Sequence, residues 1–170
     1  MNQSINRLNE LSADEAQAEL LKCCGSTRWA KTLAGARPFQ SIDELLAKAD
    51  EVWSSLDQAD WLEAFRAHPK IGEKKAAASQ SEQAQKWSAA EQSGAAGADA
   101  EVRLALAEGN LEYEQRFEFI YIVCATGKTS EELLTILQQR LGNDREAELR
   151  NAAEEQRKIT RLRLEKLFSF

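Results

Sequence analysis

The chain holds a single histidine, His68, so any imidazole chemistry must pass through that residue. It follows Trp61 by seven positions and Phe65 by three, which turns it with the apolar face of its helix, at the C-terminal end. Burial there disfavours the charged ring while the negative end of the helix favours it. Both an imidazole poised as general acid or base and a structural histidine bonded to a last-turn carbonyl fit that position. Ser88 and Glu91 have the S-x-x-E spacing of a capping box, which would also hold a carboxylate rigidly at a helix start. Arg163 stands out by angle. At about 100° per residue from Ile159, Ala152 falls at about 20°, Arg163 at about 40°, and Leu149 and Leu167 at about 80°. Arg163 therefore lies inside an apolar stripe, whereas Arg161, at about 200°, faces solvent. A guanidinium cannot shed its charge, so it needs a carboxylate, Glu91 among the candidates, or an anionic ligand. Lys70, Lys74 and Lys75 read as a solvated basic loop, the four tryptophans as core, and Cys124 as an inert thiol in apolar surroundings.

The elements that must position these groups are helical. The 170 residues include only 8 glycines and 2 prolines and are rich in good helix formers, and the length suits one domain. With 22 basic against 28 acidic residues there is no excess of positive charge for a phosphate backbone, so nucleic acid is not an expected partner. No apolar run approaches the roughly 20 residues of a membrane span, and the N-terminus lacks the pattern of a signal peptide. A cytoplasmic protein is expected. Three cysteines, two of them adjacent at Cys23 and Cys24, form no disulfide framework, and one histidine is too few for a multi-histidine metal site.

Ser12 and Glu15 predict a first helix stopped at Gly25, and Ser41 with Glu44 a second carrying Leu45, Ala49, Val52 and Trp53. Asp57 or Asp60 caps a third that ends near His68, before Pro69. From Gly72 to Ala100 a loosely packed connection with one short helix is expected. Asp99 opens a long helix. The apolar stretch from Phe117 to Ala125 has strand-like composition, but no partner strand is evident, so helix continued or restarted up to Gly127 is expected. Thr129 starts the next helix, ended by Gly142, and Asn143 or Asp144 caps the last, over about residues 145 to 167.

Ala67-His68-Pro69-Lys70-Ile71-Gly72-Glu73 resembles the signature of the 2-oxo-4-hydroxy-4-carboxy-5-ureidoimidazoline (OHCU) decarboxylases. Ser88-x-x-Glu91-Gln92, Tyr113, Phe117-x-Phe119, Gly127-Lys128, Arg140-Leu141-x-Asn143 and Ile159-x-x-x-Arg163-Leu164 follow in that family's order. The similarity runs over nearly the whole chain, Trp29 and the Trp61 to Phe65 segment included. It implies an all-α fold, a single compact multi-helix bundle, and conversion of OHCU to (S)-allantoin and CO2 in urate breakdown, with no cofactor and no metal. It also implies catalytic roles for His68, as proton donor, Glu91 and Arg163. Pro69, Ser88 and Gln92 would contact substrate, and Ile122, Val123, Cys124 and Ala125 would do so through backbone. A homodimer is a further implication. Position 118 departs from the pattern, with Glu where the family usually has Gly. Two competing readings are a helical binding module whose His, Glu and Arg form a structural network, and a decarboxylase of a related ureido acid.

Overall fold

The computed structural model describes residues 3–72, 81–95 and 99–168. Among these the chain is all-α, as expected, with nine α-helices and one short 3-10 turn. Its packing falls into two units, Met1–Ala64 with Arg157–Phe170, and Phe65–Gln156.

The first unit contains α1 (Gln3–Glu10), α2 (Ala13–Leu21), α3 (Thr27–Gly35), α4 (Ile42–Ser55), most of α5 (Gln58–Arg66) and the C-terminal half of α9 (Arg145–Phe168). The capping box predicted at Ser12 and Glu15 is formed, with both reciprocal bonds present. Ser26, Ser41 and Asp57 cap the next three helices by accepting the N–H of the residue three positions on. Helix α2 stops at Leu21, four residues short of Gly25, because the N–H groups of Lys22 and Cys23 close three-residue turns onto Glu19 and Leu20. α2 packs on α3 and α3 on α4. Trp29 is fully buried at their centre and its indole N–H donates to the Ala49 carbonyl at 3.1 Å. At the rim, Asp50 of α4 accepts from Arg157 of α9 at 3.0 Å.

The second unit is built from α6 (Glu82–Glu91), the 3-10 turn Ser93–Ala95, α7 (Ala100–Phe117), α8 (Ser130–Arg140) and the N-terminal half of α9. Asp99 caps α7, and Thr129 with Glu132 makes a full capping box on α8. α7 and α8 approach closely at Gly109, where a Cβ would come 2.6 Å from a Leu137 methyl. Of the expected connection from Gly72 to Ala100, residues 73–80 and 96–98 lie outside the described residues, Lys74 and Lys75 among them. The short helix expected there is α6.

Helix does not continue through Phe117 to Ala125: α7 ends at Phe117, and no regular structure returns before Ser130. Glu118 takes the left-handed conformation, φ 65°, that ends helices and suits glycine. The objection to an extended segment was its unpaired backbone, and side chains answer it. Arg145 donates to the Phe117 carbonyl at 3.2 Å, Arg140 to that of Ile122 at 2.6 Å, and Lys128 to that of Cys124 at 2.7 Å, while Glu155 accepts the Cys124 N–H at 3.4 Å.

Arg140 can do this because it is anchored on a buried carboxylate. Its Nε donates to Glu148 Oε2 at 2.9 Å and its Nη2 to the Tyr113 hydroxyl oxygen at 3.2 Å, and that hydroxyl in turn donates to Glu148. Asn143 and Asn151 satisfy the other carboxylate oxygen, each at 2.9 Å. Burial pushes the Glu148 carboxyl upward, but the bonds from Tyr113, Asn143 and Asn151 and the Arg140 charge outweigh it and hold it below the ordinary value. The Tyr113 phenol is pushed well up, chiefly by burial.

Two predictions follow from these contacts. The depressed Glu148 carboxyl contributes stability that is complete above the unfolded glutamate value of about 4.3 and is lost as pH falls through the lower native value. Glu148→Leu strands the Arg140 guanidinium and is expected to lower unfolding free energy by roughly 3–5 kcal/mol at pH 7, less at acid pH, in urea titrations. Glu118→Gly relieves a left-handed non-glycine residue and loses only a 3.4 Å exposed pair with Arg145. It is expected to raise stability by about 0.5–1 kcal/mol, read from the thermal midpoint, and a fall would show that the ion pair outweighs the backbone.

Candidate active site

His68 sits just past α5, in the turn that follows the helix. Its N–H donates to the Phe65 carbonyl at 3.1 Å, closing the last turn, and Pro69 prevents another. The chain after it is fastened at three points in the second unit. Lys70 pairs with Glu114 at 2.6 Å, the Ile71 carbonyl accepts from Asn110 at 2.8 Å, and the Gly72 N–H donates to Gln92 Oε1 at 3.1 Å. Gly72 has φ 85°, a conformation that lets the loop turn back without a Cβ penalty. The first two bonds tie the His68-Pro69 loop to α7 and the third ties it to the end of α6. The imidazole itself meets α9, where its Nε2 lies 2.6 Å from Oε1 of Gln156.

Ser88 and Glu91 do not cap a helix. Ser81 caps α6, and Ser88 and Glu91 lie in its last turn, so the capping-box reading is corrected. The S-x-x-E spacing matched because Ser88, like Ser81, precedes short helix-forming residues, but hydrogen bonding begins seven residues earlier. Both side chains are buried, Ser88 4% and Glu91 8% exposed. A buried serine and a buried carboxylate thus stand one turn apart at the end of α6.

Ile122, Val123, Cys124 and Ala125 occupy the non-helical segment between α7 and α8 and all are buried. Burial raises the Cys124 thiol and the Lys128 charge opposes this, while the negative charges of Glu155 and Glu91 raise it further. That thiol stays protonated, as expected for an inert cysteine. Gln92, the neighbour of Glu91 in the chain, accepts the Gly72 N–H and so meets the histidine loop. His68, Pro69, Ser88, Glu91, Gln92 and residues 122–125 are thus all held within the second unit.

Arg163 belongs to the first unit. It is 3% exposed, in agreement with its place in the apolar stripe, and Ala152, Leu149 and Leu164 on the same helix are buried as well. Its charge acts on Cys23 and Cys24. Burial drives both thiols up, Cys24 to about 11, and the guanidinium opposes that rise.

Sequence reasoning missed Gln156 and the carboxylate Glu148, both fully buried. The angular test that singled out Arg163 contained the signal. On the same scale Gln156 falls at about 60° and Glu148 at about −20°, so both are polar residues inside the apolar stripe of α9. Among the described residues no three His, Cys, Asp or Glu side chains group as a metal site would require. No described helix is long and apolar enough to cross a membrane.

Comparison with known proteins bears on this arrangement. The OHCU decarboxylase family matches residues 9–165. The uric acid degradation bifunctional protein TTL of Arabidopsis thaliana is 42% identical over 148 residues, 86% of this chain and 45% of that protein. The 2-oxo-4-hydroxy-4-carboxy-5-ureidoimidazoline decarboxylase of Amia calva is 33% identical over 135 residues, 76% of this chain and 73% of that one. A crystal structure of OHCU decarboxylase in the presence of (S)-allantoin superimposes with a TM-score of 0.78 at 40% identity, covering 89% of this chain and 98% of the other. The chain spans less than half the length of the bifunctional relatives it matches. A match across nearly all of the chain places it: this chain belongs to the OHCU decarboxylase family.

Proposed function

We propose that the protein decarboxylates OHCU to (S)-allantoin and CO2, acting in the cytoplasm in the breakdown of urate, without a cofactor. The observation that carries the reading is the sole imidazole, fixed at a helix end by a buried amide in a chain of this family, in the same unit as a buried carboxylate. A general acid or base needs that combination of fixed position and limited solvation.

The reaction asks little else of the protein. When the C4 carboxylate leaves as CO2, the electron pair of the broken C–C bond enters the ring and the adjacent C=N accepts the displaced pair at nitrogen. The 4-hydroxyl then becomes a carbonyl as its proton departs, C5 receives a proton, and a further proton neutralises the ring nitrogen that took the displaced pair. In sum one proton replaces the carboxylate. The substrate supplies its own electron sink, so what remains is orientation, handling of the hydroxyl proton and delivery of a proton to one face of C5. His68 performs the proton transfer and Glu91 orients or charges the imidazole. Pro69, Ser88, Gln92 and the backbone of Ile122, Val123, Cys124 and Ala125 are the proposed substrate contacts. The bond from Gly72 to Gln92 Oε1 leaves the amide nitrogen of Gln92 as its contribution.

Arg163 is assigned to alignment. A tight clamp on the departing carboxylate would stabilise the ground state more than the transition state, whereas contacts to oxygens whose charge grows as CO2 leaves favour the reaction. The family resemblance also supports a homodimer, which sedimentation equilibrium tests. A helical binding module with the same three residues as a structural network is the second reading, supported by the bonds that tie the His68 loop within its own unit.

OHCU generated in situ from urate decays spontaneously to racemic allantoin. With this protein the expected result is rapid appearance of the S enantiomer by circular dichroism, and racemate at the background rate refutes the proposal. His68→Asn is expected to lower turnover by at least ~10²-fold with the fold retained. Arg163→Lys keeps the charge but loses the planar fork, and a loss of about tenfold in kcat/KM is expected if it aligns substrate.

A further inference from the structure

The mechanism above uses Gln156 only to hold the ring in place; its amide is 0% exposed and its Oε1 lies 2.6 Å from His68 Nε2. An amide removed from water needs a partner, and an apolar side chain would fill the same position on α9 without that requirement. The choice of oxygen toward the ring has a chemical consequence. A carbonyl oxygen only accepts, so the ring nitrogen that meets it must carry hydrogen. A neutral imidazole has one N–H; spent on Nε2, it leaves the lone pair on Nδ1. In the other tautomer two lone pairs would face each other at 2.6 Å.

We propose that Gln156 is a positioning residue that holds His68 in the Nε2–H tautomer and makes Nδ1 the atom through which protons pass. The inference rests on the decarboxylase reading for its catalytic part. Nδ1 accepts the proton that leaves the 4-hydroxyl as the C4–O bond becomes a carbonyl, giving an imidazolium, and the same nitrogen returns a proton to C5. Nε2–H stays bonded to Gln156 throughout, so the ring neither rotates nor exchanges tautomers between the two transfers, and of the two roles given to Glu91 the charging one is kept, while Gln156 does the orienting. The fixed ring also presents Nδ1 to one side of the substrate, which is what delivery to a single face of C5 requires.

Because the protein has a single histidine, its imidazole nitrogens can be observed without ambiguity. In 15N-labelled full-length protein, well above the ordinary imidazole pKa of about 6.5, the long-range proton–nitrogen spectrum is expected to show hydrogen on Nε2 and a bare Nδ1. Gln156→Met removes the acceptor with little change in volume and is expected to give a tautomer mixture. Gln156→Glu keeps an acceptor and is expected to preserve the wild-type pattern, so it also decides the matter should the methionine variant fail to fold. A ring protonated on Nδ1 in the wild type, or a pattern unchanged in Gln156→Met, overturns the assignment. In turnover of OHCU, Gln156→Met is expected to lower kcat by at least ~10-fold with KM nearly unchanged, the signature of a lost transition-state geometry. Equal loss in KM and none in kcat overturns the catalytic part. A wild type that fails to turn over OHCU sinks the decarboxylase reading, while the spectrum still decides whether Gln156 sets the tautomer.

Discussion

The bond from Arg140 to the Ile122 carbonyl is the constraint on which the second unit depends. Among the described residues there is no sheet to pair the stretch between α7 and α8, and buried backbone left without partners would unfold the region around it. Here the partners are long side chains reaching from three places. Arg140 comes from the end of α8, Arg145 from the start of α9, and Lys128 from the turn before α8. Of these Arg140 is the most deeply placed, and it holds its position because Glu148 and Tyr113 satisfy it in turn. The aromatic rings of Tyr113 and Tyr121 flank its guanidinium at 5.7 and 5.0 Å, which adds attraction to the ring faces.

That arrangement explains what could and could not be read along the chain. Capping residues are local, so Ser12, Ser41, Asp99 and Thr129 announced their helices correctly. Helices α1 and α3 were not anticipated, although Ser26 followed by Trp29, Ala30, Leu33 and Ala34 carries the same kind of signal. The end of α7 was the instructive failure. Composition points to a non-helical stretch and the lack of partner strands argues against it, yet the true partners are charged side chains whose positions depend on tertiary structure. Glu118 was recognised as a departure at a glycine position, and the left-handed φ gives the physical reason for glycine there.

The site residues show the same division. His68, at the end of its helix before a proline, and Arg163, inside an apolar stripe, were visible from spacing alone. The surroundings of Ser88 and Glu91 were misjudged because a capping box and the last turn of a helix share the same letters. Gln156 was overlooked since an uncharged amide raises less alarm on an apolar face than a guanidinium does. Yet an amide there answers the same question of what compensates its burial, and the answer is the histidine.

The three thiols have a practical consequence. Cys23 and Cys24 are shut inside the first unit and Cys124 inside the second, and burial keeps all three protonated. Alkylating or oxidising reagents attack thiolate that solvent can reach, so modification of the native protein must wait for a local opening event. Each half of the chain therefore carries its own built-in clock for such openings, readable by mass without introducing any label.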